Sequence, residues 1–103
     1  DHLAGKEMAI GRYYENQGLY LGAINRYKKV IDNFQTTTHV PEALHRLTES
    51  YLSLGLIEQA KQMASVLGHN FPGSEWYIDS YEMVQGKKIR KKTKKGRWYW
   101  PFK

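Results

Sequence analysis

Four histidines, ten carboxylates and no cysteine are the raw material for chemistry in this 103-residue sequence. Without cysteine there are no disulfides, no thiolate catalysis and no sulfur-held zinc or iron–sulfur site. His2, His39, His45 and His69 are scattered, and no His-Glu-x-x-His run occurs. His39 and His45 stand six apart, which turns them to different faces of a helix. A catalytic centre needs a nucleophile or an acid–base pair in a rigid surround, and this spacing supplies neither. The expectation is a non-enzymatic chain with no catalytic, cofactor or metal site. Its histidines then read as surface residues and its carboxylates as solvated ones.

Two other features carry binding chemistry. Arg26 sits in Ala23-Ile24-Asn25-Arg26-Tyr27, where its apolar neighbours are expected to be buried. This reading leaves Arg26 exposed at the edge of Tyr27. An arginine beside aromatics is a good interface anchor. The second feature is the C-terminal stretch. Residues 87–103 hold nine of the sixteen cations and no acid, whereas residues 1–86 carry seven cations against ten anions. The net charge of +6 is therefore a slightly acidic domain joined to a strongly basic tail. The like-charge block Lys87–Lys95 is expected to be disordered alone. Beyond it, Arg97-Trp98-Tyr99-Trp100-Pro101-Phe102 packs aromatics densely, and Arg97, Trp98 and Trp100 are its contact candidates. This composition suits stacking and phosphate contacts on nucleic acid. It equally suits an anionic membrane surface, a docking peptide, or a solvated extension packed back on the domain. Membrane or partner docking ranks ahead of nucleic acid.

The elements that must position these residues come from an internal repeat. Tyr14 precedes Gly18 by four and Ala23 by nine, and Tyr51 precedes Gly55 and Ala60 by the same steps. The offset of 37 is close to the 34-residue tetratricopeptide period, with Thr36–Thr38 absorbing the excess. The spacing predicts helices at about 3–17, 20–33, 40–54, 57–70 and 75–85. Gly18 and Gly55 end the first and third. Pro41 fits the first turn of the third, Pro72-Gly73 stops the fourth, and Ser74 caps the fifth. The expected apolar faces are Leu3, Met8, Ile10 and Tyr14; then Ala23, Ile24, Tyr27, Val30 and Ile31. In the later helices they are Ile57, Ala60, Met63, Ala64 and Leu67, then Trp76, Tyr77, Tyr81 and Val84. Ala23 is small where the first two helices cross, with Tyr27 filling the gap beside it. The fold class is all-α: a tetratricopeptide-type solenoid of two helical hairpins plus a closing helix over residues 1–86, followed by the tail 87–103. Stacks of this kind need about three repeats and capped ends, and the chain starts at Asp1 almost inside a helix. The expectation is a piece of a longer solenoid.

First helices of such repeats commonly line a concave groove. Here the slots are Met8, Arg12, Glu15 and Asn16, then His45, Glu49, Leu52 and Ser53. Glu42 and Glu49, seven apart, share that face. The mix is not a lysine–arginine clamp for a peptide carboxylate, and it fits a solvated face and a ligand groove equally well. No apolar run is long enough to cross a bilayer and no signal peptide is present, so targeting signals give no localisation.

A resemblance adds to this reading. Leu3-Ala4-Gly5-Lys6-Glu7-Met8, Ile10-Gly11-Arg12-Tyr13-Tyr14, Ala23-Ile24-Asn25-Arg26 and Phe34-Gln35-Thr36-Thr37 resemble the C-terminal half of the BamD (ComL) family. So do Pro41-Glu42-Ala43-Leu44 and Leu67-Gly68-His69-Asn70-Phe71-Pro72, and the likeness runs over about residues 1–85. These are tetratricopeptide lipoproteins of the bacterial β-barrel assembly machinery. The resemblance implies a scaffold on the periplasmic face of the outer membrane, held by a lipid anchor outside this stretch. It implies docking to the POTRA domains of BamA, with other lipoproteins of the machinery as further partners and no nucleic acid. The family's contact arginine falls on Arg26, with Asn25 beside it. Tyr13 and Tyr14 match the family's paired tyrosines: Tyr13, with Arg12 before it, completes the contact candidates, and Tyr14 is assigned to the core. The basic tail has no counterpart in the pattern, nor does this stretch contain the lipid-bearing cysteine or the first three repeats.

Overall fold

A computed structural model describes residues 2–86. Five helices follow in order: α1 (His2–Asn16), α2 (Tyr20–Asn33), α3 (Val40–Ser53), α4 (Ile57–Asn70) and α5 (Glu75–Gln85). Among the described residues every regular element is an α-helix. The local signals work as their chemistry requires. Gly18 and Gly55 turn the chain with φ of 80° and 79°, a left-handed conformation that a Cβ disfavours. Pro41 sits in the first turn of α3, where its missing N–H costs nothing. Ser74 Oγ accepts from the Trp76 amide at 3.0 Å and starts α5.

Helices α1 and α2 pack as one hairpin and α3 and α4 as the next, with α2 against α3. Helix α5 closes the stack on both α3 and α4, while α1 meets α3 only along a narrow seam. Helix α3 is therefore enclosed by its neighbours, and it buries Val40, Ala43, Leu44, Leu47, Tyr51 and Leu52. The core continues through Ala4, Met8, Ala23, Ile24, Tyr27, Val30, Ala60 and Leu67.

Three side chains assigned to apolar faces point outward. Leu3, Ile57 and Tyr81 are 57%, 44% and 47% exposed. Leu3 and Ile57 lie in the first turns of α1 and α4, where a helix end outruns its neighbour. In α1 the buried positions are Ala4, Met8 and Gly11. Gly11 marks the closest approach of α1 to α2: a Cβ there would stand 2.5 Å from Tyr27 Cε1. Tyr27 fills this crossing, as its place beside Ala23 implies, but the small residue opposite its ring is Gly11.

Candidate functional site

Helix α2 turns Arg26 toward α1, away from the edge of Tyr27 where the sequence put it. Tyr27 is fully buried, and the Arg26 guanidinium lies 6.0 Å from the centroid of the Tyr14 ring. Arg26 Nη1 donates to Glu7 Oε1 at 3.0 Å. Lys29 Nζ stands 3.8 Å from the other Glu7 oxygen. The Glu7 hydrogen bond, offset in part by desolvation and helped by the charge of Glu7, holds the Arg26 pKa above its usual value. Two cations share one carboxylate, so this face keeps an excess of positive charge. A guanidinium has five N–H donors in a planar fork, which leaves Arg26 able to take a further acceptor.

The surface beside it is hollow. Tyr14, Gly22, Asn25, Arg26 and Lys29 line a depression of ≈ 330 Å³. A Cβ at Gly22 would meet the Tyr14 ring at 3.4 Å, an ordinary contact. Tyr13 is 61% exposed and its ring lies 6.0 Å from that of Tyr14, which extends the aromatic surface outward. Of the residues singled out in sequence, Arg26 and Asn25 meet in the hollow and Tyr13 adjoins it. Arg12 is placed elsewhere: its Nη1 pairs with Glu42 Oε2 across the α1–α3 seam at 3.0 Å. Arg97, Trp98 and Trp100 lie outside the described residues. Glu7, Lys29 and Gly22 were missed. No spacing rule links Glu7 to Arg26, nineteen positions apart on different helices, although Lys29 lies one turn beyond Arg26.

The expected groove slots do something else. Met8, His45 and Leu52 are buried, so His45 is not the surface residue its spacing suggested. Its Nδ1 lies 2.8 Å from Ser80 Oγ and its Nε2 3.3 Å from Glu49 Oε2. A carboxylate only accepts, so the Glu49 side is served by a proton on His45 Nε2. Glu49 also takes Arg46 Nη1 at 3.2 Å, and Arg46 lies 5.7 Å from the Trp76 ring centroid. Glu15, on α1, accepts the Tyr27 hydroxyl at 2.6 Å. Arg12, Glu15, His45 and Glu49 are thus engaged within the fold. Among the described residues no cluster has the make-up of a metal site.

With this geometry in view, the relatives are informative. The family model for an outer membrane lipoprotein, YfiO, matches residues 1–67. The chain is 56% identical over 90 residues to the outer membrane protein assembly factor BamD of Caulobacter vibrioides, covering 87% of this chain and 30% of that protein. It is 56% identical over 85 residues to BamD of Rickettsia prowazekii, covering 82% and 34%. It is 38% identical over 82 residues to BamD of Neisseria meningitidis serogroup A, covering 80% and 31%. The chain belongs to the BamD family. It spans about a third of the length of these curated relatives. The hollow around Arg26 and the Arg12–Glu42 pair of the α1–α3 seam both fall inside the 1–67 match, so both are built from sequence that the family model covers.

Proposed function

We propose that this stretch is a docking module of a BamD-type assembly lipoprotein, and that it holds the periplasmic POTRA domains of BamA. The observation that carries the reading is the hollow of Tyr14, Gly22, Asn25, Arg26 and Lys29, with the Arg26 guanidinium fixed by Glu7 and unspent donors at its mouth. A carboxylate from the partner fits there as a charge-assisted acceptor. Asn25 supplies a neutral hydrogen-bonding group, and Tyr13 and Tyr14 supply aromatic area at the rim. Because Glu7 already holds Arg26 in place, less side-chain freedom is lost on binding. The chain does no chemistry of its own and acts as a rigid scaffold that couples substrate delivery to barrel assembly. Its place is the periplasmic face of the outer membrane, held by a lipid anchor outside this stretch. Other lipoproteins of the machinery are further partners, and nucleic acid is not one.

The test is calorimetric titration of the full chain with the BamA POTRA domains, beside Arg26→Ala and Arg26→Lys. Saturable binding is expected. Loss of a hydrogen bond to a charged group should weaken Arg26→Ala by about tenfold or more. Arg26→Lys should recover only part, because an ammonium lacks the fork. A folded Arg26→Ala chain that binds as tightly as wild type refutes the assignment.

A further inference from the structure

A second hollow lies at the other end of the stack, between α4 and α5. It has a volume of ≈ 370 Å³ and shares no residue with the Arg26 hollow. Lys61 and Ala64 of α4 and Tyr77, Tyr81, Val84 and Gln85 of α5 line it. Tyr77 sits hard against Gly68, and its ring lies 6.1 Å from that of Tyr81. Ile78 and Tyr81, 49% and 47% exposed, carry the apolar surface outward from the hollow. Among the described residues α5 packs on α3 and α4 alone, and of its side chains only Ser80 is buried. The closing helix therefore keeps an uncovered aromatic flank.

Three observations say what covers it. The first is where the chain goes. Gly86, with φ of 80°, ends α5 and turns the backbone directly beside Val84 and Gln85. Seventeen residues follow, and Trp98, Tyr99, Trp100 and Phe102 are four of the last six. The eleven residues between span at most about 40 Å, ample for a return to a hollow that starts at the exit point. The second is charge. Residues 87–97 carry eight cations and no acid, whereas α5 carries Glu75, Asp79 and Glu82 and no cation. Those acids share one face of α5, on the far side of Ile78 from Tyr81. The third is chemistry: aromatic rings suit a site of tyrosine and valine with Lys61 at its edge, where a cation can face a ring. We propose that the α4–α5 hollow is a docking site for this chain's own aromatic cluster, Trp98-Tyr99-Trp100. Tethering makes the effective concentration on the order of millimolar, so a weak contact suffices. The docked cluster covers the apolar end of the solenoid.

NMR of the full chain tests this. Nuclear Overhauser contacts should join the indole protons of Trp98 or Trp100 to the Val84 methyls or the Tyr81 ring. In Trp98→Ser/Trp100→Ser, whose changes lie outside the described residues, the amide signals of Tyr81, Val84 and Gln85 should shift. Those of Tyr14, Gly22 and Arg26 should stay in place, which separates loss of docking from a general loss of fold. Absence of the wild-type contacts, or unmoved signals at Tyr81, Val84 and Gln85 in the variant, overturns the proposal. Contacts seen only between a labelled and an unlabelled chain would put a second copy's tail in the hollow, and would equally overturn it.

Discussion

Replacing Gly11 by alanine probes the close packing of α1 against the Tyr27 ring of α2. The new methyl would lie 2.5 Å from Tyr27 Cε1, 2.9 Å from Cδ1 and 3.1 Å from Cζ. Carbon atoms pack best about 3.5–4.0 Å apart, so the ring and the methyl must separate by about 1 Å. Tyr27 is poorly free to give way. Its side chain has no exposed surface, and its hydroxyl is tied to Glu15 at 2.6 Å. Overpacking of this kind costs about 1–3 kcal/mol. The helix propensity of alanine over glycine returns up to about 1 kcal/mol. From the middle of that range the net loss is about 1 kcal/mol, which for a domain of this size lowers Tm by about 4–8 °C. The assay is thermal unfolding followed by far-UV circular dichroism, with Gly5→Ala as the control. At Gly5 the nearest side-chain atom to a Cβ is His39 Nε2, at an ordinary 3.5 Å. That variant should keep or raise Tm by its propensity gain. A double variant with Tyr27→Leu should show coupling with Gly11→Ala. A Gly11→Ala chain as stable as wild type would refute the close crossing of α1 and α2.

Ser50 Oγ is buried without a hydrogen-bond partner; Ser50→Ala should therefore raise stability by up to about 1 kcal/mol, and a denaturant melt showing a loss would contradict it. Removing the N-cap hydroxyl of α5 in Ser74→Ala should cost about 1 kcal/mol by the same assay, with an unchanged midpoint as the contrary result. Burial alone would raise Glu49, but the hydrogen bonds from His45 and Glu15 and the charges of His45 and Arg46 outweigh it and hold the carboxylate down at about 2. The folded value lies below the unfolded one, so this stabilisation is present above about pH 4.5 and disappears as pH falls toward about 2. Acid titration of Tm should consequently be shallower in Glu49→Gln than in wild type, and identical slopes would count against the pairing.

The helix boundaries were legible because the signals that set them are local. Gly18, Gly55, Pro41 and Ser74 act on their own turn of backbone, whatever packs nearby. The burial pattern was legible only in part. Periodicity names a face, but whether a neighbour reaches that face depends on the stack. Leu3, Ile57 and Tyr81 are apolar residues that no partner fully covers. Gly11 and Ala4 gain burial from the crossing, which hydrophobicity does not report. Arg26 was singled out first from its place beside Tyr27 and again, with Asn25, by the family resemblance, and their hollow became visible only when α1 brought Tyr14 beside α2. The seam was the least legible feature. It draws on α1, α2, α3 and α5, and residues in direct contact there lie as far as 35 positions apart. No spacing within one helix encodes such contacts. His45 read as a surface residue for the same reason, since its burial is imposed by α5.

Chemical-shift perturbation of the isotope-labelled chain on adding unlabelled BamA POTRA domains shows whether the Arg26 hollow is the face that meets BamA. The expected outcome is a set of saturable shifts centred on Tyr14, Gly22, Asn25, Arg26 and Lys29, with the Arg12–Glu42–Arg46 side of α1 and α3 unmoved. Shifts centred instead on Arg12, Glu42 and Arg46 would contradict it and favour a peptide adaptor that binds through its first helices.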